Sequence, residues 1–227
     1  MISIAIDGPS GAGKSSIAKE LARRLDIMYL DTGAMYRAVG LKAVRNGINP
    51  NDREGVLPLL HDTAIDIEYT NGTQRVILDG EDVSSAIREH TISKAASDIS
   101  KIPEVREFLV NMQRDIACKH DIVLDGRDIT SYVLVDTPFK FYLTASVDVR
   151  AERRYKELIA KGQNVELDAI KKDIIDRDYN DTHRDCCPLT RTADSYYIDS
   201  SNMSIAEVID TFIAQIDRVK SNINRIK

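Results

Sequence analysis

The stretch Gly8-Pro9-Ser10-Gly11-Ala12-Gly13-Lys14-Ser15-Ser16 constrains this chain more than any other, because it sets both a backbone path and a chemistry. It matches the pattern Gly, any four residues, Gly-Lys-Ser/Thr, whose inward-turned N–H groups cradle phosphate oxygens. The motif needs a strand before it and a helix after it. The apolar run Ile2 to Ile6 reads as the buried strand, and Ile17, Leu21 and Leu25 place one apolar face on the following helix. The helix N-terminus adds its positive dipole end to the same spot. In such a loop Lys14 reaches the outer phosphates and the Ser15 hydroxyl helps to hold a magnesium ion. A nucleoside triphosphate site follows, but not its use.

Composition bounds that use. With 227 residues, 43% hydrophobic and 30% charged, the chain suits one sizeable core with a smaller insertion and excludes disordered and fibrous classes. A net charge of -5 argues against an extended nucleic-acid surface, while leaving room for a local arginine cluster around a small anion. No apolar run is long enough to span a bilayer, and Asp7 interrupts the apolar N-terminus, so neither a membrane span nor a signal peptide is expected and the protein is placed in the cytoplasm. Three cysteines, Cys118, Cys186 and Cys187, are too few for a disulfide framework. The adjacent pair could join only with strain, and its spacing does not fit structural zinc, so reduced loop thiols are expected.

Along the chain, short buried strands alternate with amphipathic helices, which predicts an α/β fold with a mostly parallel sheet covered on both faces. A second strand, Ile27 to Leu30, ends at Asp31-Thr32-Gly33, where a helix to about Val44 begins. Functional residues of open α/β sheets gather at such strand ends, which singles out Asp31, Thr32, Tyr36 and Arg37; Asp31 or Thr32 can equally cap the helix. Residues 65 to 69 then alternate apolar and polar, Asn71-Gly72 signals a hairpin, Arg75 to Leu78 resumes the strand and Asp79-Gly80 turns again. This antiparallel rhythm marks an inserted subdomain at about 60–100, ending in helical Ile92 to Ile99, within a core of 1–59 and 101–227. Pro103 opens a helix whose Val105, Phe108, Leu109, Met112 and Ile116 read as core, while Arg106 and Arg114 read as surface.

Ile122 to Leu124 runs into Asp125-Gly126-Arg127-Asp128, a charged cluster at the end of a central strand that is costly unless it meets a ligand, a metal or itself. Phe139 to Leu143 is a further strand, Val147 to Ala160 a helix, and 166 to 179 another with Leu167, Ile170, Ile174 and Ile175 inward. Arg177, Asp181, Arg184 and Arg191 then crowd a loop-like stretch, the pattern of a mobile lid at about 178–193. A strand at Tyr196 to Ile198 precedes a terminal helix, opened by a Ser204/Glu207 capping box and burying Ile205, Val208, Ile209, Phe212, Ile213 and Ile216. There is no internal repeat or low-complexity tract.

A guanine-nucleotide switch would need Asn-Lys-x-Asp, which is absent, and its Asp-x-x-Gly occurs only at Asp52 to Gly55, in an expected loop. A motor or transporter ATPase would use Asp125 for magnesium, with nothing else in support. Phosphoryl transfer uses more of the chain: Arg37, Arg106, Arg127, Arg177 and Arg184 exceed what one triphosphate needs, so a second anionic substrate is expected. No general base stands in the motifs, which suits an acceptor that is itself a phosphate monoester, already largely dianionic because its second pKa is about 6.

The ordered set Ile-Asp-Gly-Pro-Ser-Gly-Ala-Gly-Lys-Ser (6–15), Leu-Asp-Thr-Gly-Ala-Met-Tyr-Arg (30–37), Leu-Asp-Gly-Glu-Asp-Val-Ser (78–84), Ala-Ala-Ser (95–97), Pro-Glu-Val-Arg (103–106), Asp-Gly-Arg-Asp (125–128), Leu-Thr-Ala-Ser (143–146) and Arg-Asp-x-x-Asp-x-x-Arg with Pro-Leu (177–189) resembles the bacterial cytidylate kinases, within the nucleoside monophosphate kinases. The resemblance covers essentially the whole chain. It implies a three-layer P-loop kinase fold with an inserted monophosphate-binding subdomain and an arginine-rich lid, and transfer of the ATP γ-phosphate to CMP or dCMP with Mg2+. It implies that Lys14 and Arg184 neutralise the transferring group, that Asp128, Ser97 and Arg106 read the base, that Thr32, Arg37 and Arg127 lie at the monophosphate, and that Arg177 and Asp181 lie at the sugar. It further implies a monomer acting on small molecules, with no nucleic-acid or membrane partner. UMP or AMP kinases, and a nucleotide-sensing module without turnover, are the rival readings. The chain departs from the family pattern after Asp128, where Ile129-Thr130-Ser131 stands in place of a segment that usually carries Gly-Thr.

Overall fold

The protein is described by a computed structural model covering residues 1–70, 73–160 and 162–226. In chain order its elements are β1 (Ser3–Asp7), α1 (Lys14–Leu25), β2 (Met28–Asp31), α2 (Thr32–Arg45), α3 (Arg53–His61), β3 (Ile65–Thr70), β4 (Thr73–Leu78), β5 (Glu81–Asp82), α4 (His90–Ile99), α5 (Pro103–Ala117), β6 (Ile122–Gly126), β7 (Phe139–Thr144), α6 (Val147–Ala160), α7 (Leu167–His183), β8 (Tyr196–Asp199) and α8 (Ile205–Ile226). They form two compact units, one of Met28–Asp121 with Met1, the other of Ile2–Ile27 and Ile122–Lys227.

In the second unit β6, β1, β7 and β8 lie side by side in that order, all parallel. The register pairs Asp7 with Gly126 on one side and Tyr142 on the other. Ile4, Ala5 and Ile6 are wholly buried, as are Leu21 of α1 and Phe212 of α8. The Phe212 ring packs on Phe141 of β7 with centroids 4.4 Å apart. A smaller apolar cluster joins α6 to α7 through Ala151, Leu158, Ile170 and Ile174. The capping box forms as the sequence predicts: the Ser204 N–H donates to Glu207 Oε2 at 2.8 Å, and the Glu207 N–H donates back to Ser204 Oγ at 3.3 Å.

In the first unit β3, β4 and β5 make the antiparallel ribbon, with Thr70 opposite Thr73. The Asn71-Gly72 turn lies outside the described residues. Asp79 and Gly80 both adopt left-handed backbone, with φ of 51° and 86°, as the second turn requires. The ribbon shares its unit with α2, α3, α4 and α5, so the compact body is wider than the 60–100 span marked by the sequence rhythm. Gly40 explains how α2 and α4 come together: a Cβ there would sit 3.1 Å from the Ala96 nitrogen. A side chain there would have to push the neighbouring backbone of α4 away by a few tenths of an ångström.

Several sequence expectations are corrected. Residues 53–55, expected in a loop, open α3, which runs to His61 through Pro58. Ile205, Ile175 and Leu167, expected inward, are exposed, Ile205 at 64%. Each lies at the start of its helix or beside the buried stripe, where apolar spacing continues past the neighbour that could cover it. Phe108, Met112 and Ile116 are half-buried on α5, whereas Val105 and Leu109 are fully buried. Arg106, expected at the surface, is 1% exposed. α7 continues to His183, so 178–183 is helix and not loop.

Candidate active site

The phosphate loop leaves β1 at Asp7 and re-enters regular structure at Lys14. Gly8, Gly11 and Gly13 have φ of 152°, 75° and 90°, a path that side chains resist. At Gly8 the constraint is absolute, since a Cβ would lie 1.9 Å from the Leu143 oxygen. Lys14 is buried and donates to the Pro9 carbonyl at 2.8 Å. Burial, and then the nearby Arg127 guanidinium, push the Lys14 ammonium well below the usual lysine range, against the pull of Asp125, Asp181 and Asp7. The neighbouring Ser15 hydroxyl donates to Asp125 Oδ2 at 2.9 Å. A hydroxyl beside a buried carboxylate is an oxygen-only donor pair, the type that suits a hard divalent cation such as Mg2+. Pro9, Ala12 and Ser16 complete the loop and the first turn of α1.

Residues far along the chain brace this loop. Asp178 accepts from the Ser10 N–H at 3.2 Å and from Arg150 at 2.6 Å. Arg150 also donates to the Ser10 and Ala145 carbonyls, both at 2.8 Å. Asp7 is 0% exposed and accepts from the Ile129 N–H at 2.8 Å and from the Thr130 N–H and hydroxyl, each at 2.7 Å. Burial and then the like charge of Asp128 outweigh those donors and raise its carboxyl to about 6. Residues Ile129–Val133 form a single π-helical turn with Asp128 immediately before it. Thr130, in the segment that departs from the family pattern, thus gives its hydroxyl to Asp7 and ties that turn to the end of β1.

Around Asp128 the charges interlock. Arg127 Nε donates to Asp181 Oδ2 at 2.7 Å. Although burial works against both charges, each holds the other charged: Asp181 keeps Arg127 above the ordinary guanidinium range, and Arg127, with Arg177 and Arg184, keeps Asp181 below the usual carboxylate range. Arg184 Nε donates to the Cys187 carbonyl at 2.7 Å, and its Nη2 lies 3.7 Å from Asp128 Oδ1, with both side chains buried. Lys14, Ser15, Arg127, Asp128, Arg177, Asp181 and Arg184 therefore belong to one charged neighbourhood of the second unit.

The first unit holds the other expected residues. Asp31 caps α2 by accepting from the Ala34 N–H at 3.0 Å, and the same carboxylate takes Arg37 at 2.8 Å and Arg88 at 3.4 Å. Burial would raise its carboxyl, but Arg37 and Arg88 hold it below the usual range. Both readings of Asp31, cap and charge partner, are therefore realised in one side chain. Thr32 is buried at the first position of α2. Arg106 lies over the Tyr36 ring, 5.4 Å from its centroid, and donates to the Ser100 carbonyl at 3.2 Å. The Ser100 hydroxyl in turn donates to the Ser97 carbonyl at 2.8 Å, so Ser97 and Arg106 are one contact apart.

Sequence reasoning missed four supporting residues: Asp7, Arg88, Arg150 and Asp178. Asp7 carried a usable signal, a carboxylate at the end of a buried strand, the same signal that singled out Asp31. The other three meet their charged or loop partners far along the chain, Asp178 and Arg150 28 residues apart and the phosphate loop 168 and 140 residues from them, and Arg88 reaching back to Asp31, with no local pattern to betray them.

Comparison with known proteins places this geometry. The family profile described as cytidylate kinase matches residues 4–218. The cytidylate kinase of Caldicellulosiruptor saccharolyticus is 47% identical over 221 residues, covering 97% of this chain and 98% of the relative. That of Clostridium acetobutylicum is 48% identical over 217 residues, covering 96% and 98%. Among solved structures a gluconokinase from Sinorhizobium meliloti 1021 superposes with a TM-score of 0.53 at 13% identity, covering 100% of this chain and 97% of that one, a likeness of fold alone. Because the family profile and relatives at 47–48% identity match nearly its whole length, the chain belongs to the cytidylate kinase family.

Proposed function

We propose that this protein transfers the γ-phosphoryl group of ATP to CMP, and to dCMP, yielding CDP and dCDP. The observation that carries the reading is the gathering of Arg127, Arg177 and Arg184 around Asp181 and Asp128 in the unit that also holds the glycine loop and Lys14. Three guanidiniums that can exchange carboxylate partners for phosphate oxygens suit a transition state with charge on two phosphates.

The loop's N–H groups bind the donor phosphates, and Lys14, already desolvated, places its charge at the outer ones without having to shed water during transfer. Ser15 and Asp125 would hold Mg2+, which would supply charge neutralisation for the donor phosphates. Thr32 and Arg37 receive the acceptor monophosphate, with Arg127 beside it. Because that phosphate is already largely dianionic, the residues need to align and neutralise it and not to remove a proton. Asp128 accepts from the cytosine N4 amino group, a donor that uracil lacks. Arg106 and Ser97 meet the ring acceptors, with Tyr36 stacked under Arg106. Arg177 and Asp181 stand at the sugar. Arg184 leaves Asp128 for the transferring group as the arginine-bearing segment that follows α7 closes and excludes water.

The test is a panel of CMP, dCMP, UMP and AMP with ATP and Mg2+. CMP is expected to be phosphorylated fastest in the panel's ribonucleotides. Faster turnover of UMP or AMP would overturn the role of Asp128, and absence of CMP-dependent ADP release would overturn the reaction. Asp128→Ala should cut the CMP-over-UMP preference by about 5- to 150-fold, the worth of one good base contact.

A further inference from the structure

We propose that Cys186 and Cys187 form a reversible two-electron thiol switch acting on Arg184. The two sulfurs lie 3.4 Å apart, and both residues are half-buried, so the pair is close together and still within reach of a small oxidant. Cys187 holds a left-handed backbone at φ 50°, a conformation that few side-chain-bearing residues adopt. Its carbonyl is the acceptor of Arg184 Nε at 2.7 Å, and the other end of that guanidinium lies 3.7 Å from Asp128. On the far side the Leu189 N–H is fixed to the Asp181 carbonyl at 2.7 Å, so the segment between is a short strap with both ends held. The thiols thus sit on the backbone group that anchors the lid arginine.

The chemistry balances with a peroxide as oxidant. One thiolate attacks a peroxide oxygen, the O–O bond breaks, water leaves and a sulfenic acid forms; the neighbouring thiol then attacks that sulfur, releases a second water and closes the S–S bond. Two thiol protons and two electrons pass to the peroxide. The ring so formed contains the peptide unit joining the two cysteines, whose Cα atoms are about 3.8 Å apart, closer than the roughly 4.4–6.8 Å that relaxed disulfides span. Strained disulfides are the readily reduced ones, and that makes the step reversible by thiols. Closing the ring resets ψ of Cys186 and φ of Cys187, turns the Cys187 carbonyl, and removes the acceptor that holds Arg184.

The activity consequence rests on the kinase reading above; the thiol chemistry does not. In a Cys118→Ser background, hydrogen peroxide should lower the intact mass by about 2 Da, mapped to residues 186–187 without reduction. It should slow CMP turnover by about tenfold or more, as loss of a phosphoryl-facing arginine does, and dithiothreitol should restore both. Cys186→Ser and Cys187→Ser should each keep turnover through the same treatment. A gain of oxygen mass in place of the loss, a disulfide that leaves turnover unchanged, or equal inactivation of both serine variants would overturn the switch. Should the reduced protein not phosphorylate CMP, the kinase reading falls by itself. The mass change, together with faster amide exchange of 184–189 on oxidation, still decides the switch, and unchanged exchange overturns it.

Discussion

Asp7 and Asp31 make an instructive pair. Each is the last residue of a mostly buried strand, each is almost wholly removed from water, and each accepts backbone N–H groups, Asp31 one from the first turn of α2 and Asp7 two from Ile129 and Thr130. Their electrostatics are nonetheless opposite. Asp31 faces Arg37 and Arg88 and is held ionised below the usual range, whereas Asp7 faces neutral donors and the like charge of Asp128 and is raised to about 6. Burial acts alike on both carboxyls, so the sign is decided by what stands opposite. The lesson is that a strand-end aspartate is not a role; its partners confer one.

The comparison breaks first at Asp31. Asp31→Ala strands Arg37 beside a vacated cap, and should destabilise the protein by about 3–5 kcal/mol, the cost typical of opening a buried ion pair. Chemical denaturation would detect it, and a loss under about 1 kcal/mol would show the pair to be effectively solvated. Next in size is Lys14→Ala. CMP phosphorylation should fall by about 10²–10³-fold, the usual loss on deleting a preorganised charge contact. The melting temperature should not drop, because the lysine is held desolvated at a cost to the fold.

Asp7 supplies a pH test with the opposite sign to Asp31. Its folded value lies above the unfolded value of 3.8, so the stability linked to its neutral form is complete below about pH 4 and is lost as pH rises through about 6. The change is about 3 kcal/mol at one pKa unit per 1.36 kcal/mol. Asp31 and Asp181, lowered in the fold, contribute stability above about pH 4 and lose it as pH falls. Denaturation midpoints for the wild type and Asp7→Asn between pH 4 and 8 should therefore show a flatter profile in the variant across that window. Equal slopes would show that Asp7 does not titrate there. The smallest effect is expected from Thr130→Val, which removes one of three donors to Asp7 and should cost about 1 kcal/mol, with Thr130→Ser restoring it. A larger loss of CMP over UMP preference than of stability would show that the π-helical turn positions Asp128.

Much of the fold was legible in the sequence, for physical reasons that differ by element. Strands β1, β6 and β7 read correctly because continuous apolar runs between polar turns have few other uses. α8 was legible from its capping box, yet Ile205 was misplaced, because helical spacing reports which residues share a face and not how far the neighbouring layer extends over it. α3 escaped notice because Pro58 and a polar start obscure its period. In the site, the glycine loop declared itself through residues adjacent in sequence. Arg106 alone on α5 looked like a surface charge, and only its seat against Tyr36 and Ser100 makes it a buried one.

By itself the sequence determined the phosphate loop, the alternation of strands and helices, and the ordered motifs that mark the family, since these depend on local backbone freedom, apolar period and neighbours in the chain. The tertiary structure alone decided that Asp7 is braced by Thr130 and Asp31 by Arg88, that Asp178 and Arg150 support the loop, and that Arg184 hangs from the Cys187 carbonyl. The physical reason is range. Local preferences are fixed by the few residues around each position, but the charge state and direction of a buried polar side chain are set by whichever groups folding brings against it.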